Sequence, residues 1–170
     1  MNVEIRPATH EDIAILAEYN VALARETEGK ELNLAVVTEG VRAVLDRPEL
    51  GRYFVAELAG EPVGQLMITC EWSDWRNAAF WWIQSVYVRP DRRQHGVFRS
   101  LFRHVEATAR ALPGVCGIRL YVERHNEAAI ATYRKLGMQP SGHTVFEIDW
   151  LLGETQDAPG GRASCPPLSR

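Results

Sequence analysis

The stretch from Trp81 to Leu112 constrains the fold most, because it reads as a strand, a turn containing glycine and a helix in immediate succession. Residues 81–88 are rich in β-branched and aromatic side chains, and Pro90 stops a ladder from continuing far beyond them. After Gly96 the apolar residues Phe98, Leu101, Phe102, Val105, Ala109 and Leu112 recur at helical spacing, with Arg99, Arg103, Glu106 and Arg110 largely on the other side. This predicts an amphipathic helix packed on a sheet. The turn leaves N–H groups at the helix start without partners, and an anion is their natural occupant. Arg89, Arg92, Arg93, Arg99 and Arg103 crowd the stretch against one acid, Asp91, in a chain of formal net charge -3. The bland alternative is a plain connection with solvated arginines. The turn lacks the Gly-Lys-Ser/Thr ending of a nucleotide P-loop and the three glycines of a dinucleotide fingerprint.

A second pattern lies downstream. Residues 118–122 alternate as a strand, and Asn126 then stands as N-cap to a helix over 127–136 that Gly137 closes. Upstream, residues 3–6 read as a strand stopped by Pro7, and Thr9 with Asp12 forms a capping box for a helix over 10–26. A second helix is expected over 37–46, ending before Pro48. Residues 52–58 and 62–71 read as a hairpin around Ala59-Gly60-Glu61. The linker 71–77, with Trp72 and Trp75, reads as a lid sealed onto the domain or as a ligand wall. A final strand is expected over 144–151, followed by a Gly/Pro/Ser-rich tail over 153–170 with little to bury. Residues 1–152 are expected to form one domain, an α/β fold of the α+β type with a central mixed sheet covered by helices.

Two patterns in this order resemble the GCN5-related N-acetyltransferases. Arg93-Gln94-His95-Gly96-Val97-Phe98 is similar to the family's Gln/Arg-x-x-Gly-x-Gly/Ala pyrophosphate loop in its Arg and its Gly, with Phe98 replacing the small residue. The run from Asn126 through Tyr133 to Leu136-Gly137-Met138 resembles the family's second motif. The resemblance covers about residues 3–150 and implies a mostly antiparallel mixed sheet flanked by helices.

It further implies acetyl-coenzyme A as acetyl donor and no metal. The pantetheine arm would pair with the backbone of Val86, Tyr87 and Val88, and a backbone N–H near Val86 would polarise the acetyl oxygen. The phosphates would lie over Arg93, Gln94, His95, Gly96, Val97 and Phe98, with Arg99 at a peripheral phosphate. Asn126 would bind the cofactor or cap its helix. Tyr133 would protonate the coenzyme A sulfur, since a phenol with an ordinary pKa of about 10 is protonated at neutral pH. Glu71, Asp74 and Glu147 are the candidate bases, directly or through water, unless the amine arrives neutral. Glu26, Trp72, Trp75 and Trp82 are candidates for the acceptor side.

The acceptor implied is a primary amine, in a small molecule. Glu26, Glu28, Glu31, Glu71 and Asp74 could together form an acidic mouth for a cationic amine, or equally could be solvated charges. The alternative in another class is a catalytically silent module that senses coenzyme A or binds a protein, for which Phe98 is the motive. Net acidity argues against nucleic acid. No apolar run is long enough to span a bilayer and no secretory leader pattern opens the chain, so a cytoplasmic protein without a membrane partner is expected. Cys70, Cys116 and Cys165 show no metal-ligand spacing, and Cys70 reads as a buried structural thiol. A homodimer is compatible with exposed aromatics and edge strands in such a fold.

Overall fold

The computed structural model describes residues 3–150; Leu151 and the tail over 153–170 lie outside them. The chain groups into two compact units, Met1–His125 and Asn126–Arg170.

The first unit carries a five-stranded sheet in the order β1-β2-β3-β4-β5. Its strands are β1 (Glu4–Pro7), β2 (Arg52–Leu58), β3 (Glu61–Ser73), β4 (Ala78–Val88) and β5 (Val115–Leu120). The first four are antiparallel neighbours, and β5 runs parallel to β4. That parallel pair needs a crossover, which α3 (Val97–Ala111) supplies. Helices α1 (Ile13–Glu28) and α2 (Leu34–Asp46) lie between β1 and β2 in the chain.

Alternation along β2 shows how the helices are distributed. Tyr53 and Val55 join Ile13, Leu16, Ala17 and Val41 of α1 and α2 in one buried cluster. Phe54, between them, meets His104 of α3 edge to face, with ring centroids 5.1 Å apart. Successive strand side chains point to opposite faces, so α1 and α2 cover one face of the sheet and α3 the other. Leu101 and Val105 of α3 are fully buried.

Helix α2 begins at Leu34, three residues before the apolar pattern does. Asn33 caps it, its side chain accepting from the N–H groups of Ala35 and Val36 at 2.9 and 3.3 Å. Leu34 and Val36 are exposed, so periodicity does not reveal that first turn.

The start of α1 is held by charge. Asp12 is 5% exposed and accepts from the Arg6 guanidinium at 2.7 and 2.8 Å and from the Thr9 N–H at 2.7 Å. Arg6 also reaches Glu57 at 2.6 Å. The Arg6 hydrogen bonds hold the Asp12 carboxyl below its ordinary 3.8, against burial, which pushes the other way. A carboxyl lowered by folding stabilises fully above its unfolded pKa and ceases to do so as pH falls through the folded value. Asp12→Ala is therefore expected to cost about 3 kcal/mol at neutral pH. The gap to the wild type narrows as pH falls below the ordinary 3.8 in denaturant unfolding.

In the second unit α4 (Glu127–Lys135) is capped by Asn126, whose side chain accepts from the Ala129 N–H at 3.0 Å. The strand expected over 144–151 is a correction: its described part, 144–150, forms none. Phe146, Ile148 and Trp150 alternate with acids but are exposed. Alternation supplies a preference for one face, whereas a strand also needs a ladder. No described helix is long and apolar enough to cross a membrane.

Candidate functional site

The site is built on a departure of β4 from regular pairing. Between β3 and β4 the register moves from Gln65↔Tyr87 to Met67↔Gln84, so β4 carries one extra residue there. Ser85 takes it up with φ 48, a left-handed value uncommon outside glycine. On the other side, the parallel ladder with β5 ends at Ile83↔Leu120, while β4 continues to Val88. Among the described residues, the β4 edge from Gln84 to Val88 that faces away from β3 thus has no strand partner. An extended chain of alternating donors and acceptors can lie along such an edge. Val86, Tyr87 and Val88 stand on this edge.

The open edge leads into the turn before α3. Gln94 and Gly96 both adopt positive φ, 65 and 81. The first intrahelical bond is Ser100 N–H to the Gly96 carbonyl at 2.9 Å, which leaves the N–H groups of Val97, Phe98 and Arg99 directed out of the helix start. A Cβ placed on Gly96 meets nothing within 4 Å, so the space before these donors is open. His95 Nδ1 lies 2.7 Å from the Arg93 carbonyl oxygen.

The charge at this turn differs from the count along the sequence. Arg93 donates to Glu26 of α1 and, from Nε, to the Val88 carbonyl at 2.9 Å. Glu26 also accepts from the Tyr87 hydroxyl at 3.3 Å. Arg89 pairs with Asp91 at 2.9 Å, Arg92 with Asp91 at 3.3 Å and Arg103 with Glu106 at 2.6 Å. Arg99 is exposed in the first turn of α3 and forms no ion pair among the described residues. Four of the five arginines are thus paired with acids, while Arg99 stands exposed at the start of α3.

Val97 fills the buried position at the start of α3, at 2% exposure. Phe98 is half-buried, its ring 6.2 Å from that of Phe102 one turn on. It stands where the family motif has a small residue.

On the face that carries α1 and α2, the ends of β3, β4 and β5 hold a second group of side chains. Glu71 accepts from Arg119 at 2.6 Å and from the Trp82 indole N–H. The Arg119 guanidinium lies 3.7 Å above the Phe80 ring, and Trp82 stacks on Tyr121 at 4.3 Å. Gly117 makes room for Phe80, since a Cβ there would lie 2.7 Å from the ring.

The linker with two tryptophans is shorter than expected: β3 runs to Ser73 and β4 starts at Ala78, so Trp72 belongs to the strand. Trp72 is 63% and Trp75 91% exposed, which overturns the reading of a sealed lid. The Asp74 carboxylate accepts from the Trp75 N–H at 2.9 Å within the turn. Cys70, expected to be buried, is exposed on this hairpin arm, as is Cys116 on β5; Cys165 lies outside the described residues.

Asn126, Tyr133 and Glu147 belong to the second unit. Asn126 caps α4, and Tyr133 is half-buried on that helix, burial pushing its phenol above the ordinary 10.0. Glu147 is exposed outside any strand.

A mixed sheet whose parallel pair separates beside a helix N-terminus defines a fold class, and solved structures share it. The crystal structure of a possible acetyltransferase from Clostridium difficile 630 is 42% identical, with a TM-score of 0.81 over 88% of this chain and 98% of that one. The GCN5-related N-acetyltransferase from Ralstonia eutropha JMP134 is 22% identical, with a TM-score of 0.70 over 86% and 99%. The ribosomal-protein-alanine N-acetyltransferase from Brucella melitensis biovar Abortus 2308 is 15% identical, with a TM-score of 0.71 over 88% and 99%. The last two share the fold alone. No curated protein matches the chain. The model of the acetyltransferase (GNAT) family matches residues 16–138, and the chain belongs to this family.

Proposed function

We propose that the chain is an N-acetyltransferase that moves the acetyl group of acetyl-coenzyme A to a primary amine of a small molecule by direct attack. The observation that carries this reading is the open edge of β4, Gln84 to Val88, running into the glycine turn and the N-terminus of α3. An extended amide arm ending in a pyrophosphate has both features in that order, and the open space before Gly96 admits the phosphates.

Acetyl-coenzyme A supplies an acetyl group activated as a thioester. The chain's part is to hold it: Val86, Tyr87 and Val88 along the arm, residues 93–98 at the phosphates and Arg99 at the periphery. The Val86 N–H is assigned to the acetyl oxygen as it gains charge. The Tyr133 phenol is assigned the proton that the departing thiolate takes up.

Glu71 is spent on Arg119 and Trp82, so we assign it to holding the acceptor surface of Trp82 and Tyr121 rather than to taking a proton. The amine then arrives neutral. The acidic mouth loses support, because Glu26, Glu28, Glu31 and Glu71 are ion-paired with Arg93, Lys30, Arg25 and Arg119. A single amine on a flat or apolar body fits this surface better than a polyamine. The silent-module alternative keeps Phe98 as its motive, and the presence of Asn126 and Tyr133 speaks against it.

The test is release of free thiol from acetyl-coenzyme A across a panel of small primary amines, polyamines and peptide N-termini. Release dependent on a small monoamine is the expected result. A chain that binds acetyl-coenzyme A and releases thiol with no member of the panel would overturn the enzymatic reading.

A further inference from the structure

A buried polar ring lies behind the bulge of β4. Gln65 is wholly buried in β3 among Val63, Leu66 and Ile68, where the pattern would otherwise place an apolar side chain. Its Nε2 donates to Asn20 Oδ1 at 2.7 Å and to the Ser85 carbonyl at 3.2 Å. Asn20 Nδ2 in turn donates to the Tyr53 hydroxyl at 3.0 Å, and Tyr53 and the Ser85 side chain share a further hydrogen bond. Gln65 Oε1 is buried without a partner among the described residues. A buried amide oxygen left unpaired and a non-glycine residue in the left-handed region are both destabilising. Neither is retained for stability alone.

Among the described residues no peptide bond is cis, so in the peptide joining Ser85 and Val86 the C=O and N–H point in opposite directions. Gln65, on β3, draws the Ser85 carbonyl to its own side. The Val86 N–H is thereby turned to the other side, the edge that β5 leaves open.

We propose that Gln65, braced by Asn20 and Tyr53, is a positioning residue that aims the Val86 N–H at the acetyl carbonyl. The inference rests on the acetyl-coenzyme A reading above and adds the device that orients its oxyanion donor. Gln65 touches no reacting atom. It works by removing the freedom of one peptide plane, so that the donor needs no reorientation as charge develops.

The test is the infrared carbonyl band of acetyl-coenzyme A carrying carbon-13 at the acetyl carbonyl, bound to the wild type, Gln65→Met and Gln65→Glu. Both substitutions keep the side-chain length; Gln65→Met removes the donor and the unpaired oxygen and is the decisive variant, while Gln65→Glu removes the donor only where its carboxyl is ionised. In the wild type the bound band lies below that of the free thioester. In the variants it returns toward the free value, and turnover falls about tenfold or more while KM for acetyl-coenzyme A stays within about twofold. A variant that binds acetyl-coenzyme A with the wild-type band and the wild-type turnover overturns the proposal. No bound band in the wild type would instead remove the cofactor reading on which it stands.

Discussion

Gly96→Glu is expected to abolish detectable acetyl-coenzyme A binding while leaving a folded protein. The φ of 81 at Gly96 costs a side chain about 1–2 kcal/mol, but a Cβ there meets nothing, so no packing is lost. The new carboxylate enters the open space before the start of α3, where it repels phosphates. A hundredfold loss of affinity corresponds to about 2.7 kcal/mol. Thermal unfolding reads this directly. Ligand at about a hundred times its dissociation constant stabilises the wild type by about 2.7 kcal/mol, and the variant is expected to show almost no shift. Gly96→Ala separates the causes: it carries the same backbone strain without the charge, so it should melt earlier than the wild type yet keep most of the ligand-induced shift.

Tyr133→Phe is expected to lower turnover about a hundredfold, in the range a positioned general acid contributes, with KM for acetyl-coenzyme A within about threefold. The ring stays and only the hydroxyl goes, so a packing role predicts little change in either. The pH profile adds a second reading. Burial raises the Tyr133 phenol above 10.0, so the group stays protonated through neutral and mildly alkaline pH. Its loss of the proton should therefore not limit the wild-type rate below about pH 10. An alkaline decline near neutrality that disappears in Tyr133→Phe would contradict the assignment. Turnover unchanged in the variant would return Tyr133 to a packing residue.

What the sequence made legible was mostly local. β2 occupies the expected residues 52–58, and α3 and α4 lie within a residue of their expected ends, because the Gly96 and Asn126 caps and the apolar stripe of α3 are chemistry within one helix.

What was missed depends on partners distant in the chain. Glu26 reaches Arg93 across 67 residues and reverses the reading of free positive charge at the turn. Arg119 occupies Glu71 across 48 residues, and no count of acids along the chain shows that. The final strand failed for the converse reason: residues 144–150 carry the alternation but not the ladder.

Two signals were present and unread. Gln65 interrupts an apolar run in β3, and Gln84-Ser85 breaks the alternation of β4 where the extra residue enters. Each marks the bulge on which the proposed chemistry turns.

The most direct test of the central claim, that acetyl-coenzyme A lies along the open edge of β4 and over the start of α3, is the change in backbone amide NMR shifts when it is added. The account predicts the largest changes at Val86, Tyr87 and Val88 and at Gly96, Val97, Phe98 and Arg99, with β1 and β2 nearly unmoved. Saturable binding that leaves those amides in place and shifts others would contradict it.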